Sequence, residues 1–128
     1  MASRSIEDLS PETAKRAAQM LARCEASGLF ILVYCTLRTN AEQAALYAQG
    51  RTTPGRIVTW AKPGESLHNS GRAFDLVPLS AGKPVWGTDG ADLALWQQVG
   101  AIGKAAGLEW AGNWPARIRE FPHFQFKG

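Results

Sequence analysis

The sequence predicts a single α+β domain in which about three helices pack on a small, largely antiparallel sheet. Three observations lead there. Apolar residues recur at helical spacing in two long segments, residues 11–26 and 91–106. Short β-branched and aromatic runs lie between and after them, the longest spanning residues 29–36. A chain of 128 residues also has a length that suits one core, burying roughly two-thirds of its unfolded surface, and no repeat, low-complexity tract or linker divides it.

Each element has a local cause. Ser10-Pro11-Glu12 opens the first helix, with serine as N-cap, proline at the first helical position and an acid in the first turn. Ala14, Ala17, Ala18, Leu21, Ala22 and Cys24 form its apolar face, and Gly28 stops it near residue 26 or 27. Residues 29–36 are continuously apolar and read as a buried central strand. Thr39-Asn40-Ala41-Glu42-Gln43 resembles a capping box, which starts a second helix over residues 41–49 before Gly50. Residues 51–65 hold two prolines, two glycines and a short apolar patch from Ile57 to Trp60. They predict a long loop with at most a brief strand, the kind of element that commonly binds. Asn69-Ser70-Gly71 is turn material and puts His68 on a loop or strand end, ahead of a short strand over residues 72–77. Residues 78–90 read as a loop with an exposed Trp86. Leu93, Leu95, Trp96, Val99 and Ile102 give the third helix its stripe, and Gly107 ends it. Short strands over residues 108–110 and 121–126 follow, with a turn at 112–115 between them.

Composition narrows the class of protein. At 45% hydrophobic and 20% charged residues the chain is an ordinary globular one, and its net charge of +3 suits contact with an anionic polymer. The basic residues are scattered, so no specific nucleic-acid partner is expected. Cys24 and Cys35 lack metal-finger spacing and read as two small buried hydrophobes, with a disulfide as the lesser reading. The opening residues are polar with no apolar leader, and no run is long enough to insert in a membrane. The expectation is a monomer made in the cytoplasm.

The chemistry centres on the only two histidines, each close to a carboxylate. His68 lies in Ser66-Leu67-His68-Asn69-Ser70-Gly71-Arg72-Ala73-Phe74-Asp75, and His123 in Glu120-Phe121-Pro122-His123-Phe124. Imidazole nitrogen and carboxylate oxygen are favoured ligands of zinc, and two histidines with one carboxylate leave a fourth position open, as a catalytic zinc requires. His68, Asp75 and His123 are therefore the candidate ligands, in a site at the sheet, with Glu120 beside them to handle protons. The plainer reading of each residue is a surface position or a satisfied core histidine. In an ideal strand Glu120 and His123 would point to opposite faces, so Pro122 is expected to mark a twist or a strand start. Arg38, directly after the first strand, can reach a site and stabilise an oxyanion, although most arginines do no such thing.

Taken together, Ser66-x-His68-x-x-Gly71-x-Ala73-x-Asp75 and Glu120-x-x-His123 resemble the peptidase M15 family. The family comprises zinc D-alanyl-D-alanine carboxypeptidases and dipeptidases and the L-alanyl-D-glutamate endopeptidases that bacteriophages use as endolysins. The resemblance extends over most of the chain, including Arg38 with Gln43, Tyr47-x-x-Gly50-Arg51 and Trp110. It implies one Zn2+ per chain on His68, Asp75 and His123, Glu120 as general base, Arg38 as an aid to oxyanion stabilisation and Ser66 as support behind the ligands. It also implies that residues 1–128 form one catalytic domain without a separate wall-binding domain, acting on peptidoglycan stem peptides once the membrane is permeabilised. A short chain without a leader looks most like a phage endolysin cutting the L-alanyl-D-glutamate bond. A D-alanyl-D-alanine carboxypeptidase is the nearest rival, and a small metal-dependent nuclease or a non-catalytic wall-binding module are the readings from other classes.

Overall fold

The strand that carries Asp75 is the centre of the sheet, and the rest of the chain is arranged around it. In the computed structural model, which describes residues 2–127, the main elements are α1 (Pro11–Ala26), β1 (Phe30–Cys35), α2 (Asn40–Ala48), β2 (Ala73–Ser80), β3 (Lys83–Pro84), α3 (Gly90–Ala105), β4 (Glu109–Trp110) and β5 (His123–Gln125). The sheet runs β1-β2-β5-β4, with β3 pairing the far end of β2, and every pairing is antiparallel. The α+β class with three helices is as the sequence predicts. No helix among the described residues is long and apolar enough to cross a membrane.

Helices α1 and α3 cover one face of the sheet. Phe74 and Phe124 are cross-strand partners that stack at 5.8 Å, and Phe124 stacks in turn on Trp110 at 6.3 Å. A side chain added at Gly100 of α3 would collide with Trp110, and one at Gly103 with Phe124 and Met20 of α1. These two glycines, three apart on one helical face, thus let α3 lie close on the aromatic ladder. Because successive strand residues alternate faces, Asp75 and His123 point to the side away from α1 and α3.

Two expectations for the strands are corrected. The run over residues 29–36 forms the sheet edge, not its buried centre: β1 pairs only with β2, and Phe30 is 72% and Leu32 38% exposed. A continuous apolar run does not reveal which of its faces lacks a partner layer. β2 also continues past residue 77 to Ser80, then turns through Ala81 and Gly82, both at positive φ, into β3. Pro78 lies beyond the reach of β5, which pairs only with Ala73 to Asp75, and there it needs only its carbonyl, which accepts from the Val85 amide at 2.9 Å.

Thr39 and Glu42 form the capping box of α2. The loop over residues 51–66 contains no strand, and its only β pairing is the bridge between Gln49 and Thr53. It is held instead by side chains: Arg51 donates to the Tyr47 and Thr59 carbonyls, and the fully buried Gln43 donates to the Ala61 carbonyl at 2.7 Å. Cys24 and Cys35 are both buried and unbonded to each other, as the favoured reading had it.

Candidate metal centre and active-site cleft

Strand register assembles the site. Asp75 on β2 stands opposite Cys35 on β1 and His123 on β5, so the three form one row across the exposed face. His68 reaches the same point from a 3₁₀ turn, Leu67–Ser70, which Ser66 caps by accepting from the His68 amide. Gly71 ends that turn at φ 70°, and its Cα lies so close to Leu9 and Ser10 that a Cβ would strike the Ser10 backbone. The turn bearing His68 is thereby docked on the start of α1.

The sequence-predicted site residues converge. His68 Nε2 lies 3.4 Å from Asp75 Oδ1, and His123 Nδ1 lies 3.2 Å from the same oxygen. Their hydrogen bonds fix which nitrogen carries each proton. His68 Nδ1 is 2.9 Å from the Thr36 carbonyl, which only accepts, so Nδ1 is the donor and Nε2 presents its lone pair. On His123 it is Nε2 that donates, to Gln125 Oε1 at 2.8 Å, so Nδ1 is the nitrogen that can serve an ion beside Asp75. Both ring nitrogens thus lie on one carboxylate oxygen, where they can donate to Asp75 as protonated rings or, once deprotonated, offer their lone pairs to an ion. Ligand atoms about 2.0–2.1 Å from a tetrahedral zinc are about 3.3 Å apart, which the two spacings to Asp75 Oδ1 match.

Glu120 precedes β5 on irregular backbone and is exposed, and the strand begins at His123, directly after Pro122, so both Glu120 and His123 line the cleft. Arg38 lines it too. Its guanidinium is held by Gln43 Oε1 at 2.9 Å and Cys35 Sγ at 3.4 Å. Two adjoining hollows of about 510 and 690 Å³ share Ala61, Glu120 and His123, so the cleft runs past the cluster on both sides.

Sequence reasoning missed several neighbours. Cys35 Sγ, a His68 nitrogen and an Asp75 oxygen lie within 4.8 Å of one another, a possible metal-binding group that shares two residues with the predicted one. Cys35 sits 3.6 Å from Nδ1 of His68, the nitrogen whose proton goes to Thr36, whereas His123 Nδ1 faces the same Asp75 oxygen as Nε2 of His68. Gln125, Glu109 and Trp114 were also missed. Gln125 could have been found, since two residues along a strand from His123 it must share its face.

Without a metal, the cluster holds protons. Burial disfavours a charged His68 ring, but hydrogen bonds to Asp75 and Cys35 outweigh it and push the ring up to about 10. Burial also disfavours the Asp75 carboxylate, and hydrogen bonds from His123 and His68 more than reverse this, holding it well below the usual carboxylate range. The His68 contribution to stability is complete below its ordinary 6.5 and is lost as pH rises through about 10. That of Asp75 is present above its ordinary 3.8 and is lost as pH falls below it. Melting curves in chelator are therefore expected to show Tm falling between pH 6.5 and 10, and zinc, which must displace the His68 proton, to abolish the fall. A Tm in chelator that stays level across that range would contradict the His68 assignment.

Comparison with known proteins gives the family. The profile VanY, described as D-alanyl-D-alanine carboxypeptidase, matches residues 6–128. The chain belongs to this family, within the M15 metallopeptidases. It is 36% identical over 123 residues to the peptidoglycan L-alanyl-D-glutamate endopeptidase CwlK of Bacillus subtilis, covering 92% of this chain and 73% of that protein. It is 32% identical to the L-alanyl-D-glutamate peptidase of Listeria phage A118, covering 95% of this chain but 39% of the phage protein. Among M15 structures, the Serratia marcescens L-Ala D-Glu endopeptidase ChiX superposes with a TM-score of 0.69 at 21% identity, covering 99% of this chain and 89% of that one. A vancomycin-resistance D,D-pentapeptidase VanY mutant in complex with Zn(II) gives 0.66 at 14% identity, over 94% and 73% of the two chains. These likenesses bear out the fold.

Proposed function

We propose that this metallopeptidase is a zinc-dependent peptidoglycan endopeptidase that hydrolyses the L-alanyl-D-glutamate bond of stem peptides. The observation that carries the reading is the meeting of His68 Nε2, His123 Nδ1 and Asp75 Oδ1 in an open cleft beside Glu120. Both curated relatives described above carry that bond in their names, which supports the choice of substrate.

His68, Asp75 and His123 would hold the ion, which when bound supplies Lewis acidity and brings the pKa of water from about 15.7 towards about 7. Glu120, facing the same cleft, takes the proton of the attacking water and delivers it to the leaving amine. Arg38, immobilised by Gln43 and Cys35, donates to the oxyanion that forms as the amide carbonyl is attacked. Ser66 acts through the turn it caps, keeping His68 in place.

The shape of the cleft favours an endopeptidase over a carboxypeptidase. An internal bond needs room for chain on both sides, and hollows lie on both sides of His123 and Glu120. Arg117 and Arg119 line an adjoining rim with Trp60 and Trp114, supplying cations and flat apolar surface for an acidic peptide. On this reading the protein is a monomeric, endolysin-like enzyme that works on the cell wall, with neither nucleic acid nor membrane as partner. Mass spectrometry of purified peptidoglycan after digestion tests it: chelator-sensitive appearance of L-alanine C-termini and D-glutamate N-termini is expected. Release of terminal D-alanine instead would make it a carboxypeptidase, the activity in the family description.

A further inference from the structure

We propose that Glu109 is a positioning residue for His123, acting through Gln125; this rests on the reading of His123 as a metal ligand. An imidazole can offer Nδ1 to a cation only if its proton is on Nε2, so something must hold the proton there. Gln125 alone does not, because its amide presents an acceptor one way round and a donor the other. Glu109 removes the ambiguity. Its carboxylate only accepts, and Oε2 lies 3.2 Å from Gln125 Nε2, which leaves Gln125 Oε1 facing His123 Nε2 at 2.8 Å.

The sheet builds this chain of contacts directly. Glu109 and Gln125 are paired across β4 and β5, and Gln125 shares its face of β5 with His123. The same Glu109 oxygen accepts from the Trp114 indole at 2.9 Å. That ring packs on His123 with centroids 5.7 Å apart and lines the hollow of about 690 Å³ as well as the adjoining rim that carries Arg117 and Arg119. One carboxylate oxygen therefore fixes both the His123 tautomer and a wall of the cleft. Glu109 itself is exposed, outside the hydrophobic core, so its removal is a local change.

Zinc affinity, measured by competition with a chromophoric chelator, and the His123 Nε2–H resonance of the zinc-loaded protein provide the test. Glu109→Ala is expected to weaken zinc about 10–100-fold and to lose the resonance to solvent exchange. Glu109→Gln, whose side-chain oxygen is held in place by the Trp114 indole donor and so still accepts from Gln125, is expected to restore both. In a Gln125→Glu background an acceptor-only carboxylate faces His123 whatever residue 109 is, so Glu109→Ala should there cost nothing. Equal losses in both backgrounds, or unchanged zinc binding and an unchanged resonance in Glu109→Ala, would overturn the positioning role. A wild-type protein that takes up no zinc would instead sink the ligand reading beneath it.

Discussion

Glu120→Gln is expected to bind a full equivalent of zinc and to lose about 10²–10⁴-fold in kcat on peptidoglycan, the usual share of a positioned general base. Glu120 is outside the row of converging lone pairs, so its loss leaves His68, Asp75 and His123 where they are. It is exposed and precedes β5, so the amide is accommodated without disturbing the core. Because the expected defect lies in proton transfer and not in binding, KM should move little while kcat falls. Zinc content by atomic absorption together with steady-state hydrolysis separates the cases. Full activity in the glutamine variant would remove Glu120 from the mechanism, and loss of zinc would make it a ligand.

The second large effect is expected at the histidines. His68→Ala and His123→Ala should each lose stoichiometric zinc and all chelator-sensitive activity, a deeper loss than the about 10–100-fold that follows removal of a hydrogen-bond partner behind a ligand. Cys35→Ser is the contrasting case. If Cys35 serves only to hold Arg38 and to lie against the Nδ1 side of His68, serine keeps zinc stoichiometric and lowers kcat through Arg38. Zinc lost from Cys35→Ser but retained by His123→Ala would reverse the choice between the two ligand groups. His68 is 97% buried, since its relative exposure is 3%, so its alanine variant also calls for a melting curve to confirm folding.

How much of this was legible beforehand depended on whether the signal was local. The α1 start at Ser10-Pro11, the Thr39 to Glu42 capping box and the stop near Gly107 depend on neighbours in sequence, and each is found where expected. The converging residues were legible for another reason: two histidines in 128 residues, each near a carboxylate, leave few ways to build a metal centre. What sequence did not supply was register. Cys35 stands beside the site because β1 pairs with β2 through an irregularity between Val33 and Cys35, a fact without a local mark. Glu109 and Trp114 reach His123 only through β4 pairing with β5. The same limit explains β1 itself, whose unbroken apolar run looked central while its exposed face, with Phe30 and Leu32, has no covering layer.

The most direct test of the proposed centre is X-ray absorption at the zinc edge of the zinc-loaded protein. Coordination by His68, Asp75 and His123 gives a shell of nitrogen and oxygen at about 2.0–2.1 Å, with the outer scattering of two imidazole rings and no sulfur. A sulfur scatterer at about 2.3 Å with a single imidazole would place the ion on Cys35, His68 and Asp75, and would contradict the centre proposed for this enzyme.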